Sequence, residues 1–346
     1  VVGVIRTSTS NIFVSLPVSP MSSASQIGIS YFHDIKTFFE KFRSYVNTFF
    51  TWIILKLIKH GFPDLLNQTW TIFGVSTLFG LQLEEVNLKQ YAKCLREKVA
   101  NVIKQEDVSY DAKVFVMNNE TARPSLMDTL PLKVEVYIIS NENVRKCIYN
   151  GIFLSWSGTQ REFEVENSTQ LPLLLCRGSQ SGIHAVHATI CRMFDCIITP
   201  LWDKDVLSWL VPIVVISTSK NAGKICMEYA IPELPVTDAI VIKFDIKDLK
   251  EMLRVITKVE DFEDVEISLE LEDIKKFYDV LHYQMLKTAG LQLGLCTLHR
   301  INSPALTIMG NRMKVMDMNI MNCVLQYLNE RVLDMLHNLN FSIESS

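Results

Sequence analysis

Residues 291–316, LQLGLCTLHRINSPALTIMGNRMKVM, are the stretch of sequence that decides the fold. Its short apolar runs are separated by two clusters of turn-forming residues, Asn302-Ser303-Pro304 and Gly310-Asn311. Apolar runs bounded by Asn, Gly, Ser and Pro are typical of β-strands joined by tight turns. The pattern predicts three antiparallel strands, Leu291–Ile301, Leu306–Met309 and Met313–Met316.

Amphipathic helices are predicted on both sides of this sheet in the sequence. Between residues 84 and 103, for example, Leu88, Tyr91, Leu95 and Val99 recur at spacings of three and four, which places them on one helical face. Asp245 is a suitable N-cap for a later helix because its carboxylate can accept a backbone hydrogen bond. The predicted helices are Glu84–Ile103, Ser181–Phe194, Asp245–Lys258, Glu270–Leu286 and Asn319–His337.

Other short runs rich in Val, Ile, Tyr and Phe predict further strands. They are Lys113–Met117, Leu132–Ile139 and Ile152–Trp156, and three more apolar segments follow at Cys196–Ile198, Leu210–Ile216 and Ala239–Phe244. Strands and helices come in alternating groups without regular βαβ units. This order favours an α+β fold with largely antiparallel sheets and packed helices.

The sequence predicts three regions along the chain. Residues 1–63 form an N-terminal segment that we expect to be disordered at first, because it lacks any period, and then helical over Tyr31–His60. Residues 64–220 form an N-terminal α+β lobe, and residues 221–346 form a C-terminal α+β lobe.

Composition excludes several classes of protein. With 346 residues, 48% of them hydrophobic and 21% charged, the chain is neither a disordered tail nor a coiled coil. Its net charge of -4 argues against a protein that grips DNA alone, because phosphate contacts demand a basic excess. The eight cysteines are scattered without a CxxC pair, which favours reduced thiols in the cytosol or nucleus.

A secreted or membrane-attached protein is an alternative that rests on two features. Asn67, Asn119 and Asn167 begin glycosylation triplets, and Thr48–Leu55 is an aromatic and apolar run. The run is far shorter than the roughly 20 apolar residues that a membrane span needs. We therefore predict no membrane association.

Candidate catalytic chemistry is confined to one stretch. His184, His187 and Cys191 share a predicted helical face, and Cys196 follows, so these side chains are candidate zinc ligands or a Cys–His pair. Their spacing matches no common zinc module, and the apolar run around Cys196 should raise the pKa of its thiol. No phosphate loop, dinucleotide fingerprint or serine elbow is present. We predict no catalytic residues, metal or cofactor, with a cytosolic enzyme using residues 184–196 as the alternative.

Several uncommon strings occur in an order that resembles one known family. They are WTIFGVSTLF at residues 70–79, NLKQY at 87–91, WSG at 156–158, LPL at 171–173, FDCIITPL at 194–201 and LSW at 207–209. Together they resemble the centromere protein L family, over roughly residues 65–320. None of these strings is a catalytic signature.

The resemblance implies a function in the inner kinetochore. It implies a non-catalytic structural subunit of the constitutive centromere-associated network, located in the nucleus at the centromere. The implied partners are centromere protein N, in a heterodimer, together with centromere protein C and other network subunits. Contact with the centromeric nucleosome and linker DNA would be indirect, and the role would be kinetochore assembly and chromosome segregation in mitosis.

The resemblance also places the heterodimer interface in the C-terminal sheet. We predict strand addition along residues 291–316, since a sheet edge offers backbone hydrogen bonds to a partner. The candidate interface residues are Leu295, Leu298, Ile301, Leu306, Ile308 and Met313. Packing of these side chains on helices of the same chain is the alternative. The basic residues His299, Arg300, Arg312 and Lys314 are candidates for DNA contact, with ordinary solvated strand charges as the alternative.

Overall fold

The computed structural model describes residues 2–6, 11–15, 63–117, 128–156, 167–201, 204–218, 223–235, 237–259 and 269–344. Within these ranges the chain has fifteen β-strands and six α-helices. The strand pairs are antiparallel, as in the hairpin that joins residues 108–116 to residues 132–140. The predicted α+β class is therefore confirmed.

The strands and helices alternate in groups along the chain. The strands are β1 (Val2–Arg6), β2 (Asn11–Ser15), β3 (Thr69–Val75), β4 (Leu78–Phe79), β5 (Val108–Val116), β6 (Leu132–Ser140), β7 (Arg145–Leu154), β8 (Ser168–Thr169), β9 (Leu173–Gly178), β10 (Ile198–Pro200), β11 (Lys224–Ala230), β12 (Ala239–Asp245), β13 (Thr297–Asn302), β14 (Leu306–Met309) and β15 (Arg312–Val315). The helices are α1 (Glu85–Ile103), α2 (Gln180–Phe194), α3 (Lys204–Ser217), α4 (Ile246–Thr257), α5 (Leu271–Ala289) and α6 (Met318–Glu344). Among the helices of the described ranges, none has the length and hydrophobicity of a transmembrane segment.

The chain folds into two compact units, and each unit combines two stretches of sequence. Unit 1 contains Val1–Ile58 and Leu207–Thr307, and unit 2 contains Lys59–Val206 and Ile308–Ser346. The last strands and the last helix thus complete a unit that begins about 250 residues earlier in the chain.

Unit 2 is built on an antiparallel sheet with the strand order β15-β3-β9-β7-β6-β5. Alternate residues of β6, Leu132, Val134 and Val136, face helices α1 and α2 on one side of this sheet. Leu95 and Val99 of α1 complete the same core. Each fully buried side chain of this size contributes about 1.5–3 kcal/mol, so the two helices are held mainly by apolar burial.

Helix α6 packs in unit 2 against β9 and β15. Its residues from Ile320 to Asn329 are buried on every face, although Asn329 is polar. The Asn329 side-chain oxygen accepts a hydrogen bond of 3.1 Å from the backbone N–H of Trp156. A Cβ atom at Gly74 would lie 3.2 Å from the Val332 side chain, so glycine allows β3 to approach this helix closely.

The strands of unit 1 are antiparallel and follow the order β2-β1-β12-β11-β13. Helices α4 and α5 pack against each other, and α4 also contacts β12. Leu249 and Leu253 of α4, with Phe277 and Leu281 of α5, are buried at helical spacing. The spacing of four residues within each pair places its two side chains on one face of the helix.

Two expectations from the sequence need correction, and a third concerns residues outside the described ranges. Leu291–Leu295 is not a strand: the chain leaves α5 at Gly290, with φ 68°, and makes a 3-10 turn over Leu293–Leu295 before β13 starts at Thr297. Residues 2–6 and 11–15, expected to be disordered, form a hairpin that pairs with β12. The helix predicted over Tyr31–His60 lies outside the described residues.

Candidate functional site

The region predicted to bind a partner contains strands β13, β14 and β15 and the two turns between them. Ser303 fixes the first turn, because its hydroxyl oxygen accepts hydrogen bonds from the backbone N–H groups of Leu306 (2.9 Å) and Ala305 (3.3 Å). Gly310, with φ 56°, forms the second turn. The two turns lie where the sequence predicts them.

Five of the six candidate interface residues are buried within this chain. Leu298 is 6% exposed, and Ile301, Leu306, Ile308 and Met313 are at most 1% exposed. A side chain without accessible surface offers nothing for a partner to contact. This placement matches the alternative in which these residues pack inside their own chain.

The backbone edges of β13 and β15 are also occupied. Strand β13 pairs with β11, where Met227 lies opposite Ile301, and β15 pairs with β3, where Trp70 lies opposite Met313. Among the described residues these strands therefore leave no free edge for the predicted addition of a partner strand, which requires one.

Leu295 differs from the other candidates because it is 68% exposed. It lies on the 3-10 turn that packs against α5, where Tyr283 is 54% and Leu286 is 44% exposed. Tyr283 and Leu286 are three residues apart, so they share a helical face. We name Tyr283, Leu286 and Leu295 the α5 patch. Large exposed apolar side chains such as these are accessible to a partner.

The sequence carries a signal for the α5 patch that the prediction missed. The buried stripe of α5 comprises Ile274, Phe277, Leu281 and Met285. Tyr283 and Leu286 are large and apolar but lie off that stripe, on the face that an amphipathic helix usually gives to charged residues. Apolar residues outside the stripe are the ones that a partner can reach.

The four candidate DNA contacts divide into two pairs. In unit 1, His299 and Arg300 both face Glu228 of β11, with N–O distances of 4.0 Å and 3.5 Å. The Glu228 carboxylate is 13% exposed and offsets positive charge at this position. In unit 2, Arg312 and Lys314 alternate along β15 and are exposed. The second pair is the more exposed of the two.

The stretch of residues 184–196 contains His and Cys side chains without a reactive arrangement. His187 forms a 3.2 Å hydrogen bond through Nε2 with the Tyr149 hydroxyl, and burial lowers the pKa of its imidazole to about 4. Burial raises the pKa of the Cys196 thiol to about 12. Among the described residues, no three His, Cys, Asp or Glu side chains come together as metal ligands. All eight cysteines lie in described ranges and none is in a disulfide.

A cavity of about 10 Å³ lies near this stretch, between the sheet of unit 2 and helices α1 and α2. Its lining is apolar and includes Leu95, Val134, Phe153 and Ile190. A space of this volume holds at most one water molecule. It is too small to bind a substrate.

Three of the family-like strings, at residues 70–79, 87–91 and 194–201, lie in unit 2, where the third contacts the other two. Strand β10 pairs with β3, which puts Pro200 opposite Phe73, and Tyr91 of α1 packs edge-on against Phe194 of α2 at 4.9 Å. The Tyr91 hydroxyl also donates to the carbonyl of Gly80 (3.2 Å). These residues hold strands and helices together, which is a structural role.

Comparison with known proteins gives two matches. The family model described as Centromere protein L matches residues 64–338. Centromere protein L of Gallus gallus is 27% identical over 183 residues, which are 49% of this chain and 53% of the chicken protein. The aligned part thus spans about half the length of that curated relative. The matched residues include all the strings that carry the resemblance.

Proposed function

This chain belongs to the centromere protein L family, and from that premise we propose that it is a non-catalytic structural subunit of the constitutive centromere-associated network. It pairs with centromere protein N, and the heterodimer binds centromeric chromatin and supports kinetochore assembly and chromosome segregation. It acts in the nucleus at the centromere, beside centromere protein C and other network subunits. The family match over residues 64–338 is the observation that carries this proposal.

The chemistry of residues 184–196 favours a binding subunit over the enzyme alternative. A thiol with a pKa of about 12, as at Cys196, is almost fully protonated at neutral pH and is a poor nucleophile. His187 is hydrogen-bonded to Tyr149, whose own hydroxyl pKa is raised well above its ordinary value by burial. Neither the Cys196 thiol nor the His187 imidazole is therefore suited to transfer a proton at neutral pH.

The α5 patch is our proposed contact surface for centromere protein N. Tyrosine and leucine side chains that lose their exposure on binding supply apolar contact area, and tyrosine is enriched at such positions. Lys287 lies at the rim, with its ammonium 5.0 Å from the centre of the Tyr283 ring. The complementary surface should therefore be apolar with an acidic margin.

Replacing Leu286→Asp and Leu295→Asp together should weaken binding to centromere protein N by about a hundredfold. Both side chains are exposed, so the buried cores are untouched and the urea midpoint should stay unchanged. Calorimetric titration of recombinant centromere protein N into each variant measures the effect.

Val102→Asp is the matched control, since Val102 is 55% exposed but lies on α1 in unit 2. It should bind like the unaltered chain. Normal binding by the double variant, or equal loss in the control, would remove the α5 patch from the interface. Recovery of no centromere subunits with the full chain from dividing cells would contradict the proposed function itself.

We propose that direct contact with DNA, within the heterodimer, is limited to Arg312 and Lys314. Replacing both with Gln should lower the slope of log affinity against log salt by up to about two, because each phosphate contact releases one condensed counterion. Lys89→Gln with Lys93→Gln on α1 is the control and should leave the slope unchanged. An unchanged slope in the β15 variant would mean that Arg312 and Lys314 are solvated charges that do not contact phosphate.

A further inference from the structure

Strand β5 is the last strand in the sheet of unit 2. It pairs with β6 along its whole length, from Val108 opposite Ser140 to Val116 opposite Leu132. Within the described ranges, no strand pairs with its other side. The strand is nine residues long and contains neither proline nor glycine. Long regular edges without such breaks are suited to pairing with another strand.

The direction of its free backbone groups follows from one hydrogen bond. The N–H of Met117 donates to the carbonyl of Pro131 at 2.8 Å, and the register of β5 and β6 puts these two residues opposite each other. Hydrogen-bonded pairs alternate with non-bonded pairs in an antiparallel ladder. Odd-numbered residues of β5 therefore bond to β6, and Tyr110, Ala112 and Val114 direct their N–H and C=O groups to the open edge.

The sequence of β5, VSYDAKVFV, is complementary to itself about Ala112. In an antiparallel pair of two copies centred there, Ala112 lies opposite Ala112 as a hydrogen-bonded pair. Asp111 of each copy then lies opposite Lys113 of the other, with both side chains on the sheet face turned away from α1. Opposite charges at directly facing positions stabilise a sheet, and symmetry makes this contact twice.

Both charged groups are accessible for that contact. Lys113 is exposed, and the Asp111 side chain keeps 35% of its surface. One carboxylate oxygen of Asp111 bonds to Arg145 at 2.6 Å, which leaves the other oxygen for a lysine. Within its own chain Lys113 lies opposite Glu135, but that carboxylate already pairs with Lys133 at 3.0 Å.

We propose that the open edge of β5 is a self-association site, where a second copy of this chain adds its own β5 in antiparallel register about Ala112. Edge lysines usually discourage pairing, since an incoming strand without an acid leaves the ammonium unpaired. In this register the second copy supplies an aspartate at that position, so Lys113 selects for the chain itself. The site lies in unit 2, apart in sequence from the α5 patch.

Sedimentation equilibrium of the full chain without partner tests the proposal, and it should give a reversible dimer at micromolar concentration. Lys113→Glu should raise the dimer dissociation constant at least about tenfold, because two attractive pairs become repulsive. Lys146→Glu carries the same charge change on the inner strand β7 and should leave the dimer intact. Circular dichroism confirms that both variants are folded.

Ala112→Pro is a second variant that acts on the backbone. Of the backbone hydrogen-bonding groups it removes only the outward N–H of residue 112, so the bonds to β6 remain while the central hydrogen bonds of the dimer are lost. Dimerisation should fall as for Lys113→Glu, while centromere protein N still binds either folded variant. A monomer at all concentrations, or a dimer that both variants leave unchanged, would overturn the proposal. Neither result bears on the α5 patch, which has its own variants.

Discussion

Replacing Ile301→Asp should prevent unit 1 from folding. Ile301 has no exposed surface and lies opposite the equally buried Met227 in the β11–β13 pair. An aspartate there either buries an unpaired charge or becomes protonated because its pKa is raised. Either outcome lowers the free energy of unfolding. We expect a loss of at least about 4 kcal/mol, which is a large part of the stability of a domain. Soluble yield and urea unfolding measure it.

Two further variants calibrate this result. Leu295→Asp, at an exposed position, should shift stability by less than about 0.5 kcal/mol. Ile301→Val should cost about 0.5–1.5 kcal/mol, since it removes one methyl group from a packed core. A folded Ile301→Asp chain with normal stability and no binding to centromere protein N would return Ile301 to the interface and contradict its placement in the core.

Replacing Trp70→Ala should destabilise unit 2 by about 3–5 kcal/mol. The indole is 2% exposed, its N–H donates to the carbonyl of Leu65 at 3.0 Å, and the Arg177 guanidinium lies 5.3 Å from its ring centre. Truncation removes all three interactions and leaves a cavity beneath a strand that is paired on both sides. Chemical denaturation monitored by far-ultraviolet circular dichroism gives the free energy.

Trp70→Phe separates packing from hydrogen bonding at this position. Phenylalanine keeps most of the apolar volume but leaves the Leu65 carbonyl without its donor, at a cost of about 1–3 kcal/mol. Phe79→Ala, a truncation of a side chain that is 42% exposed, should cost less than either variant. If Trp70→Ala cost less than about 1 kcal/mol, the ring would have to be judged a minor part of the core.

Helices with one apolar face are the part of this fold that the sequence predicts best. The stripe of Leu88, Leu95 and Val99 predicts a helix over Glu84–Ile103, and α1 spans Glu85–Ile103. The apolar segment Leu210–Ile216 has no period, and it lies in helix α3, where Leu210, Val211 and Val214 are fully buried. A helix buried all round cannot be told from a buried strand by spacing, because every position is apolar.

The burial of the candidate interface residues is harder to predict for a related reason. Alternating apolar residues in a strand mark the side chains that face the core of their own chain, so selecting Leu298, Ile301 and Ile308 selected core residues. The edge of a sheet depends on strand order, which joins segments far apart in sequence. Strand β15, for instance, pairs with β3 more than 230 residues earlier, and no local pattern encodes that contact.

The pairing of β10 with β3 changes what the family strings can be used for. Thr199 lies opposite Gly74, so two strings more than 120 residues apart form a single joint within unit 2. A sequence signature whose residues form contacts of this kind identifies the fold. Divergent members can therefore exchange their surface residues, and with them their assembly preferences, while the signature by which they are recognised persists. Partner preferences within this family must therefore be inferred from exposed positions, because the signature positions identify only the shared fold.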